Sequence, residues 1–268
     1  MAHQVTIKDI AKHLNISVAT VSRALRDMPD IKPETRQAVL DLAKEWDYQP
    51  NVLATSLVKS RTKTLGVIVP DLGYHFFSSV IKGIEAEALY RGYTLLLTQT
   101  GESYDRELIN LQTLSRGQVE GFIISLSQET SNYDHINRLI RKGIPIVFFD
   151  RDAVGIDVSK VMVDNVGAAY EAVIHLYQNG CREIAFLAGP KSVTVSNQRI
   201  EGYKKALQDL NISFKDELIV HGEYNLDKAI ALTHGLMNLN DRPDGLVVVS
   251  DRLAVGSMMA LRSKGISV

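Results

Sequence analysis

The sequence predicts an α/β protein that starts with a three-helix headpiece and a hinge and continues into two doubly wound lobes with parallel sheets. Three observations lead to this prediction. Apolar residues recur at helical spacing over the first fifty residues, a short polar and basic stretch follows, and from Leu65 onwards short apolar runs alternate with amphipathic helical segments. Repeated strand–helix units imply parallel sheets that are covered by helices on both faces.

The first helix of the headpiece is marked by its start signal and its apolar spacing. Thr6 and Asp9, three residues apart, form a capping box. Asn15 and Ile16 then make a turn. The residues expected to face the core are Ile7, Ile10, Ala11 and Leu14.

A second helix follows the turn, with Ser17 as its N-cap. Its inner side is predicted to carry Val21, Ala24 and Leu25, and its outer side Ala19, Ser22, Arg23 and Arg26. Such a helix-turn-helix can hold small and hydrogen-bonding side chains against base edges in the major groove. The spacing alone also allows a plain helical hairpin that packs on another surface.

A third helix, from Pro33 to about Trp46, closes a headpiece over residues 1–50. Its inner face is predicted to carry Val39, Leu42, Ala43 and Trp46. Residues 51–63 are expected to form a hinge helix and a linker, because Asn51 can cap one or two turns that are too short to be helical alone.

The remaining chain divides into a first lobe, residues 64–157, and a second lobe, residues 158–268, joined near residues 155 to 162. The predicted strands of the first lobe are "TLGVIVP", "TLLLTQT", "VEGFIISL" and "IPIVFFD", and those of the second are "EIAFLAG", "LIVHGE" and "DGLVVVSD". Ligands of such lobes bind at the C-terminal ends of the strands. A ligand cleft is therefore expected between the lobes.

Composition excludes several classes of protein. The 268 residues carry a net charge of −1, but residues 1–63 have ten Lys and Arg against seven Asp and Glu, so the basic excess lies at the end of the chain that carries the helix-turn-helix. No apolar run is long enough to cross a bilayer and the start has no signal-peptide core, which predicts a cytoplasmic protein without a membrane association. Cys181 is the only cysteine and the histidines are scattered, so we expect neither disulfide nor metal site.

No enzyme motif is present. The segment Ala188–Ser192 lacks the spacing of a phosphate loop, and neither a nucleophile elbow nor a dinucleotide fingerprint occurs. We therefore predict no catalytic residues and no cofactor. Two rival classes are a transport-type solute-binding protein, which needs a signal peptide, and an α/β enzyme such as a sugar kinase, which needs a phosphate loop or a catalytic carboxylate.

The segment "TIKDIAKHLNISVATVSRAL" resembles the N-terminal signature of the lactose-repressor/galactose-repressor (LacI/GalR) family of bacterial transcription regulators, above all in the run from Ser17 to Arg23. The resemblance continues through "KPETRQAVLDLAKEWDYQPNVLATSL" and "TKTLGVIVPDLGYHFFSSVIKGIE", and more weakly to the last residue. It implies a dimeric repressor that binds a palindromic operator in double-stranded DNA and responds to a small-molecule effector. The lobes would then follow the plan of periplasmic sugar-binding proteins.

The resemblance also implies roles for individual residues at the DNA. Val18, Ala19 and Arg23 would read bases, with Arg23 bridging guanine O6 and N7. Ser17, Thr20 and Ser22 would favour phosphates. Leu57 matches a leucine that wedges into the central base step, although a linker leucine that packs on the next domain is the alternative. The complete candidate set is Thr6, Ser17, Val18, Ala19, Thr20, Ser22, Arg23, Arg26, Asn51, Ala54 and Leu57.

Four clusters at predicted strand ends or helix starts match positions that line the family's effector cleft. They contain Tyr74, His75, Phe76, Phe77, Asp150, Arg151, Asn197, Arg199, Ser250 and Asp251. Planar hydrogen-bonding groups beside aromatic faces suit a sugar or another polyol. Local roles remain open: Asp150 could cap a turn, Arg199 could form a surface pair, and Phe76 or Phe77 could belong to the core.

The resemblance raises one further expectation. Family members extend beyond the point where this chain stops, at Lys264–Val268, and would continue there into another strand. Both lobes are therefore expected to lack their last strands, with unpaired sheet edges and exposed apolar surface, and the second lobe is expected to be incomplete.

Overall fold

A computed structural model describes residues 5–48 and 62–268. The chain forms two compact units, residues 1–62 and 63–268. Most of the predicted hinge, including Asn51, Ala54 and Leu57, lies outside the described residues.

The N-terminal unit contains three helices around a small apolar core. They are α1 (Ile7–His13), α2 (Val18–Leu25) and α3 (Pro33–Glu45). Lys32 stands at the N-cap of α3 without a capping side-chain bond, and Pro33 occupies the first helical position. The predicted inner faces are confirmed, because the buried residues are Ile10, Ala11, Val21, Ala24, Val39, Leu42 and Ala43.

The first lobe is a parallel sheet flanked by helices. In chain order it contains β1 (Thr64–Val69), α4 (His75–Tyr90), β2 (Thr94–Gln99), α5 (Tyr104–Leu114), β3 (Gly121–Ile124), α6 (Asp134–Arg141), β4 (Ile146–Phe149) and β5 (Ser159–Val161). The strand order is β2-β1-β3-β4-β5, and all pairs are parallel. Because the strands share one direction, the loops after β1, β2, β3 and β4 emerge at the same edge.

The second lobe repeats this plan with three strands among the described residues. It contains α7 (Asn165–Gln178), β6 (Ile184–Ala188), α8 (Thr194–Asp209), a short 3-10 helix (Asp216–Leu218), β7 (Ile219–His221), α9 (Leu226–Leu236), β8 (Gly245–Val248) and α10 (Asp251–Ser263). The strand order is β7-β6-β8, again parallel. β6 is buried along its whole length, as expected for the central strand of a sheet covered on both faces.

One strand was not predicted. β5 pairs with β4 in parallel, with Val147 opposite Ser159 and Phe149 opposite Val161. The sheet of the first lobe therefore extends beyond residue 157, where the sequence analysis placed the end of that lobe. All three residues of β5 are exposed, which explains why no apolar run marked this strand.

The close packing of α7 on α8 generates a stability prediction. A Cβ atom at Gly202 in α8 would overlap the carbonyl oxygen of Val166 and lie 3.1 Å from the Cβ of Ala169. Gly202→Ala should therefore lower the free energy of unfolding by about 1–3 kcal/mol, since α7 and α8 would have to move apart. Urea denaturation followed by circular dichroism measures the change.

Gly235→Ala is the matched control, because Gly235 also lies inside a helix but has open space around its Cβ direction. This change should be neutral or stabilising by up to about 1 kcal/mol, since alanine is the better helix former. Equal effects of the two substitutions would contradict the proposed close approach at Gly202.

Candidate DNA-reading helix and effector cleft

The start of α2 is held by its own polar side chains. The Ser17 Oγ accepts a hydrogen bond from the backbone N of Thr20 at 3.0 Å, and the two hydroxyl oxygens lie 2.8 Å apart. The capping box of α1 is also present, since the Asp9 carboxylate accepts from the Thr6 backbone N at 2.8 Å and from its hydroxyl at 2.7 Å. Both helix starts are therefore fixed as the sequence predicted.

The outer face of α2 combines small and cationic side chains. Val18, Ala19, Arg23 and Arg26 are exposed, while Ser22 is half-buried. Arg26 donates from Nε to the Ser22 carbonyl and from Nη2 to the Ser22 hydroxyl, both at 3.0 Å. An α-helix with a polar outer face fits the major groove of B-form DNA.

Arg23, the predicted guanine reader, forms an ion pair in this structure. Its Nη2 lies 2.8 Å from the Asp30 Oδ2, and both side chains are about half exposed at 51% and 43%. Exposed pairs of this kind contribute little free energy, so exchanging Asp30 for a base edge costs little. Asp30 was not singled out from the sequence.

A buried ion pair occupies the edge of the first sheet. The Arg151 Nη1 donates to the Glu102 Oε2 at 2.7 Å, and its Nη2 donates to the Glu102 Oε1 at 3.0 Å. Nη1 also lies 3.3 Å from the carbonyl oxygen of Leu126. Burial disfavours the charged guanidinium, but the Glu102 carboxylate outweighs this effect and the pKa of Arg151 is raised above its ordinary value.

Two tyrosines connect the lobes at this edge. The hydroxyl of Tyr74, which follows β1, donates to the carbonyl oxygen of Tyr224 in the second lobe at 3.0 Å. The Arg151 guanidinium lies 5.0 Å from the centre of the Tyr224 ring, and the Arg252 guanidinium lies 5.3 Å from that of Tyr74. Both separations are within cation–π range. Burial raises the pKa of each tyrosine.

The charged groups around Tyr224 converge from both lobes. After burial, the charges acting on the pKa of Tyr224 are those of Arg151 and Arg199, which lower it, and of Asp150 and Glu102, which raise it. Asp150 has a left-handed backbone with φ at 58°, and burial raises the pKa of its carboxyl group against the lowering effect of Arg151. The structure therefore places Asp150, Arg151 and Arg199 close to one another.

Arg199 is held by the second lobe. Its Nε donates to the Asn165 Oδ1 at 3.0 Å, and its Nη1 donates to the carbonyl oxygen of Val249. Ser250 is the N-cap residue of α10. Its Oγ is buried and has no hydrogen-bond partner among the described residues.

Other predicted cleft residues lie elsewhere or at the surface. Phe77 is 3% exposed and packs in the first-lobe core beside Phe149, so the core alternative describes it. Phe76 is 46% exposed. His75, Asn197 and Asp251 are exposed, and the Asn197 Nδ2 donates to the Lys191 carbonyl at 2.9 Å.

Glu102, Gln128 and Tyr224 were missed by sequence reasoning. Glu102 and Gln128 follow β2 and β3 by a few residues, so the rule that parallel strands end at one edge could have selected them. Tyr224 likewise follows β7 by a few residues.

The comparisons with known proteins agree with this arrangement. A family model described as "Bacterial regulatory proteins, lacI family" matches residues 6–51. A second one, "Periplasmic binding proteins and sugar binding domain of LacI family", matches residues 62–268. No helix among the described residues is sufficiently long and apolar to traverse a lipid bilayer.

Individual relatives are similar along nearly the whole chain. The chain is 34% identical over 261 residues to the ribose operon repressor of Halalkalibacterium halodurans, and the aligned region covers 97% of this chain and 76% of that protein. It is 31% identical over 265 residues to catabolite control protein A of Priestia megaterium, and the aligned region covers 98% of this chain and 79% of that protein.

Solved structures share the fold. The complex of the transcriptional regulator CelR with cellobiose superimposes with a TM-score of 0.71 at 25% identity, covering 98% of this chain and 80% of that one. The lac repressor dimer bound to operator superimposes with a TM-score of 0.84 at 24% identity, covering 99% of this chain and 80% of that one. The predicted fold class is confirmed, and members of the matched family are regulators rather than enzymes. The chain belongs to the LacI family of bacterial transcription regulators and unites a helix-turn-helix DNA-binding unit with a periplasmic-binding-protein-like unit.

Proposed function

We propose that this chain is a cytoplasmic repressor that binds a near-palindromic operator as a homodimer and changes its operator affinity when a sugar binds between the lobes. The observation that carries the proposal is the exposed outer face of α2, whose start is capped by Ser17 and whose Arg23 forms an ion pair with the exposed Asp30. The lac repressor structure, solved as a dimer on operator DNA, supports the mode of assembly.

At the DNA, α2 would lie in the major groove. Val18 and Ala19 would contact base edges near the start of the helix, and Arg23 would leave Asp30 to bind a guanine through two hydrogen bonds. Ser17, Thr20 and Ser22 would bind phosphates, and the capping bond of Ser17 supports that position. Thr6 and Arg26 would also contact the DNA from the described part of the headpiece. Asn51, Ala54 and Leu57 lie outside the described residues, and their proposed DNA contacts rest on the family resemblance.

In the cleft, the effector would meet charged and polar groups beside aromatic rings. Asp150 and Arg199 offer an acceptor and a donor, and Tyr74 and Tyr224 offer ring faces on which sugar C–H groups can stack. The names of two relatives refer to ribose and to cellobiose, which supports a sugar as the effector class.

The proposed segments are headpiece 1–50, hinge 51–63, first lobe 64–157 and second lobe 158–268. The pairing of β5 (Ser159–Val161) with β4 shifts the lobe junction towards residue 162. An effector that prefers one angle between the lobes would change whether two hinges can fold together on DNA. The sign of this coupling decides whether the sugar releases or tightens the operator complex.

For the dimer, we assign part of the contact to the outer stripe of α10. Val255, Met258 and Met259 recur at helical spacing and are 52%, 54% and 49% exposed. Exposed apolar patches on soluble proteins commonly mark interaction surfaces. A second copy of the chain is the partner that the dimeric relative supports.

The major-groove role is tested with Arg23→Ala. The operator is first selected from random duplex DNA by the wild-type protein, and affinities are then measured by fluorescence anisotropy at fixed salt. Loss of the bidentate guanine contact should weaken operator binding by about 1–3 kcal/mol and relax the base preference at one position in each half-site.

Lys44→Ala is the matched control, since it removes the same charge from the exposed side of α3. It should reduce affinity for all sequences alike, if at all. An Arg23→Ala protein that keeps the wild-type affinity and base preference would contradict the assigned role.

The dimer surface is tested with Met258→Glu combined with Met259→Glu. Two carboxylates in an apolar contact would remain desolvated, so the variant should sediment as a monomer at concentrations where the wild type is a dimer. Ile109→Glu, at an exposed apolar position of α5, should leave the dimer intact. A dimeric double variant would exclude this stripe from the interface.

A further inference from the structure

Gln128 lies where the two lobes meet, and its main chain is bonded on both sides. Its backbone N donates to the Glu102 Oε2 at 2.8 Å, so it adjoins the buried Arg151 pair. Its carbonyl oxygen accepts from the Ser192 Oγ of the second lobe at 2.8 Å. The position of the residue is therefore fixed by main-chain bonds that do not involve its side chain.

The side chain of Gln128 carries an unsatisfied acceptor. Its Oε1 is buried and has no hydrogen-bond partner among the described residues. Buried polar atoms in native proteins are almost always hydrogen-bonded, because an unpaired one retains its full desolvation penalty. An unpaired amide oxygen beside a ligand cleft is explained if the ligand supplies the donor.

The hydrogen bonds of neighbouring groups are directed at other acceptors. Arg151 directs both Nη atoms at Glu102, with Nη1 also near the Leu126 carbonyl. The backbone N and the hydroxyl of Ser127 are 2.8 Å and 2.9 Å from the buried Glu107 Oε2. None of these bonds reaches the Gln128 oxygen.

A second atom of the same kind lies at the corresponding edge of the other lobe. The Ser250 Oγ, directly after β8, is buried without a partner, as the Gln128 Oε1 is after β3. Each lobe thus has unsatisfied polar atoms near the C-terminal ends of its strands, and the Ser125 Oγ after β3 is another. This edge is where doubly wound lobes bind their ligands.

We propose that Gln128 is an effector-contacting residue whose amide oxygen accepts a hydrogen bond from a hydroxyl group of the effector. The proposal rests on the proposed sugar-responsive function and deepens it, because it demands a ligand with a free hydroxyl on the first-lobe side. Since the Gln128 carbonyl also binds Ser192, the same residue contacts both the effector and the opposite lobe.

The test uses Gln128→Leu in the full chain. Leucine has a similar size and keeps both main-chain bonds, so the fold should persist. Without ligand, the melting temperature should stay the same or rise, because a buried unpaired acceptor has been removed. Calorimetric titration with D-ribose, D-glucose and cellobiose should show affinity for the bound sugar lowered about tenfold.

Two further variants separate the contact from a general disturbance. Gln128→Glu keeps an acceptor oxygen and should retain more affinity than Gln128→Leu. Gln118→Leu makes the same change at an exposed position of the first lobe and should leave sugar affinity unchanged.

The outcomes distinguish this inference from the function on which it rests. A wild type that binds a sugar, with Gln128→Leu binding it equally well, overturns the inference alone. A lower melting temperature in Gln128→Leu with unchanged affinity also overturns it, since the oxygen then has a structural partner. A wild type that binds no sugar of the panel overturns the proposed effector class and the inference with it.

Discussion

The parallel direction of the strands is the constraint on which the cleft depends. Because β1, β2, β3 and β4 all run the same way, the segments that follow them must emerge at one edge of the sheet. Residues as distant in sequence as Tyr74 and Arg151 are thereby brought to the same place. In the second lobe β6, β7 and β8 are also parallel, so Tyr224 and Ser250 lie at one edge of that sheet.

Within that edge, the Arg151–Glu102 pair decides which groups are available to a ligand. A buried ion pair is tolerated only when its partners are well matched, and here both Nη atoms of Arg151 bind one carboxylate. Arg151 therefore supports the wall of the cleft and the position of Tyr224 more than it offers free donors. Gln128 and Ser250, by contrast, carry side-chain atoms without a hydrogen-bond partner among the described residues.

The predictable part of the fold is the part with a periodic apolar pattern. The faces of α1, α2 and α3 followed from spacing, and the seven other strands followed from apolar runs such as Ile184–Ala188. β5 was not predicted because Ser159, Lys160 and Val161 are all exposed and the strand is placed by its pairing with β4. Periodicity carries no information about a strand without a buried face.

The candidate sites were predictable to a different extent. Capping at Thr6 and Ser17 follows from local chemistry, and the structure has those bonds. Phe77 could not be assigned from sequence, because an aromatic residue in the first turn of a helix has the same local pattern whether it faces a cleft or the core. The contacts of Glu102 and Tyr224 with Arg151 join residues 49 positions apart in the sequence or residues of different lobes. A resemblance between short motifs does not reveal such contacts.

Sugar binding in the cleft and operator binding at α2 should be coupled within one molecule. The most direct test is a fluorescence-anisotropy titration of the full chain against its selected operator and scrambled DNA at fixed salt, with and without a sugar that it binds. We expect an operator preference of about a thousandfold or more, and we expect the sugar to change it. Weak binding to all sequences alike, or an operator affinity that saturating sugar does not change, would contradict the proposed coupling.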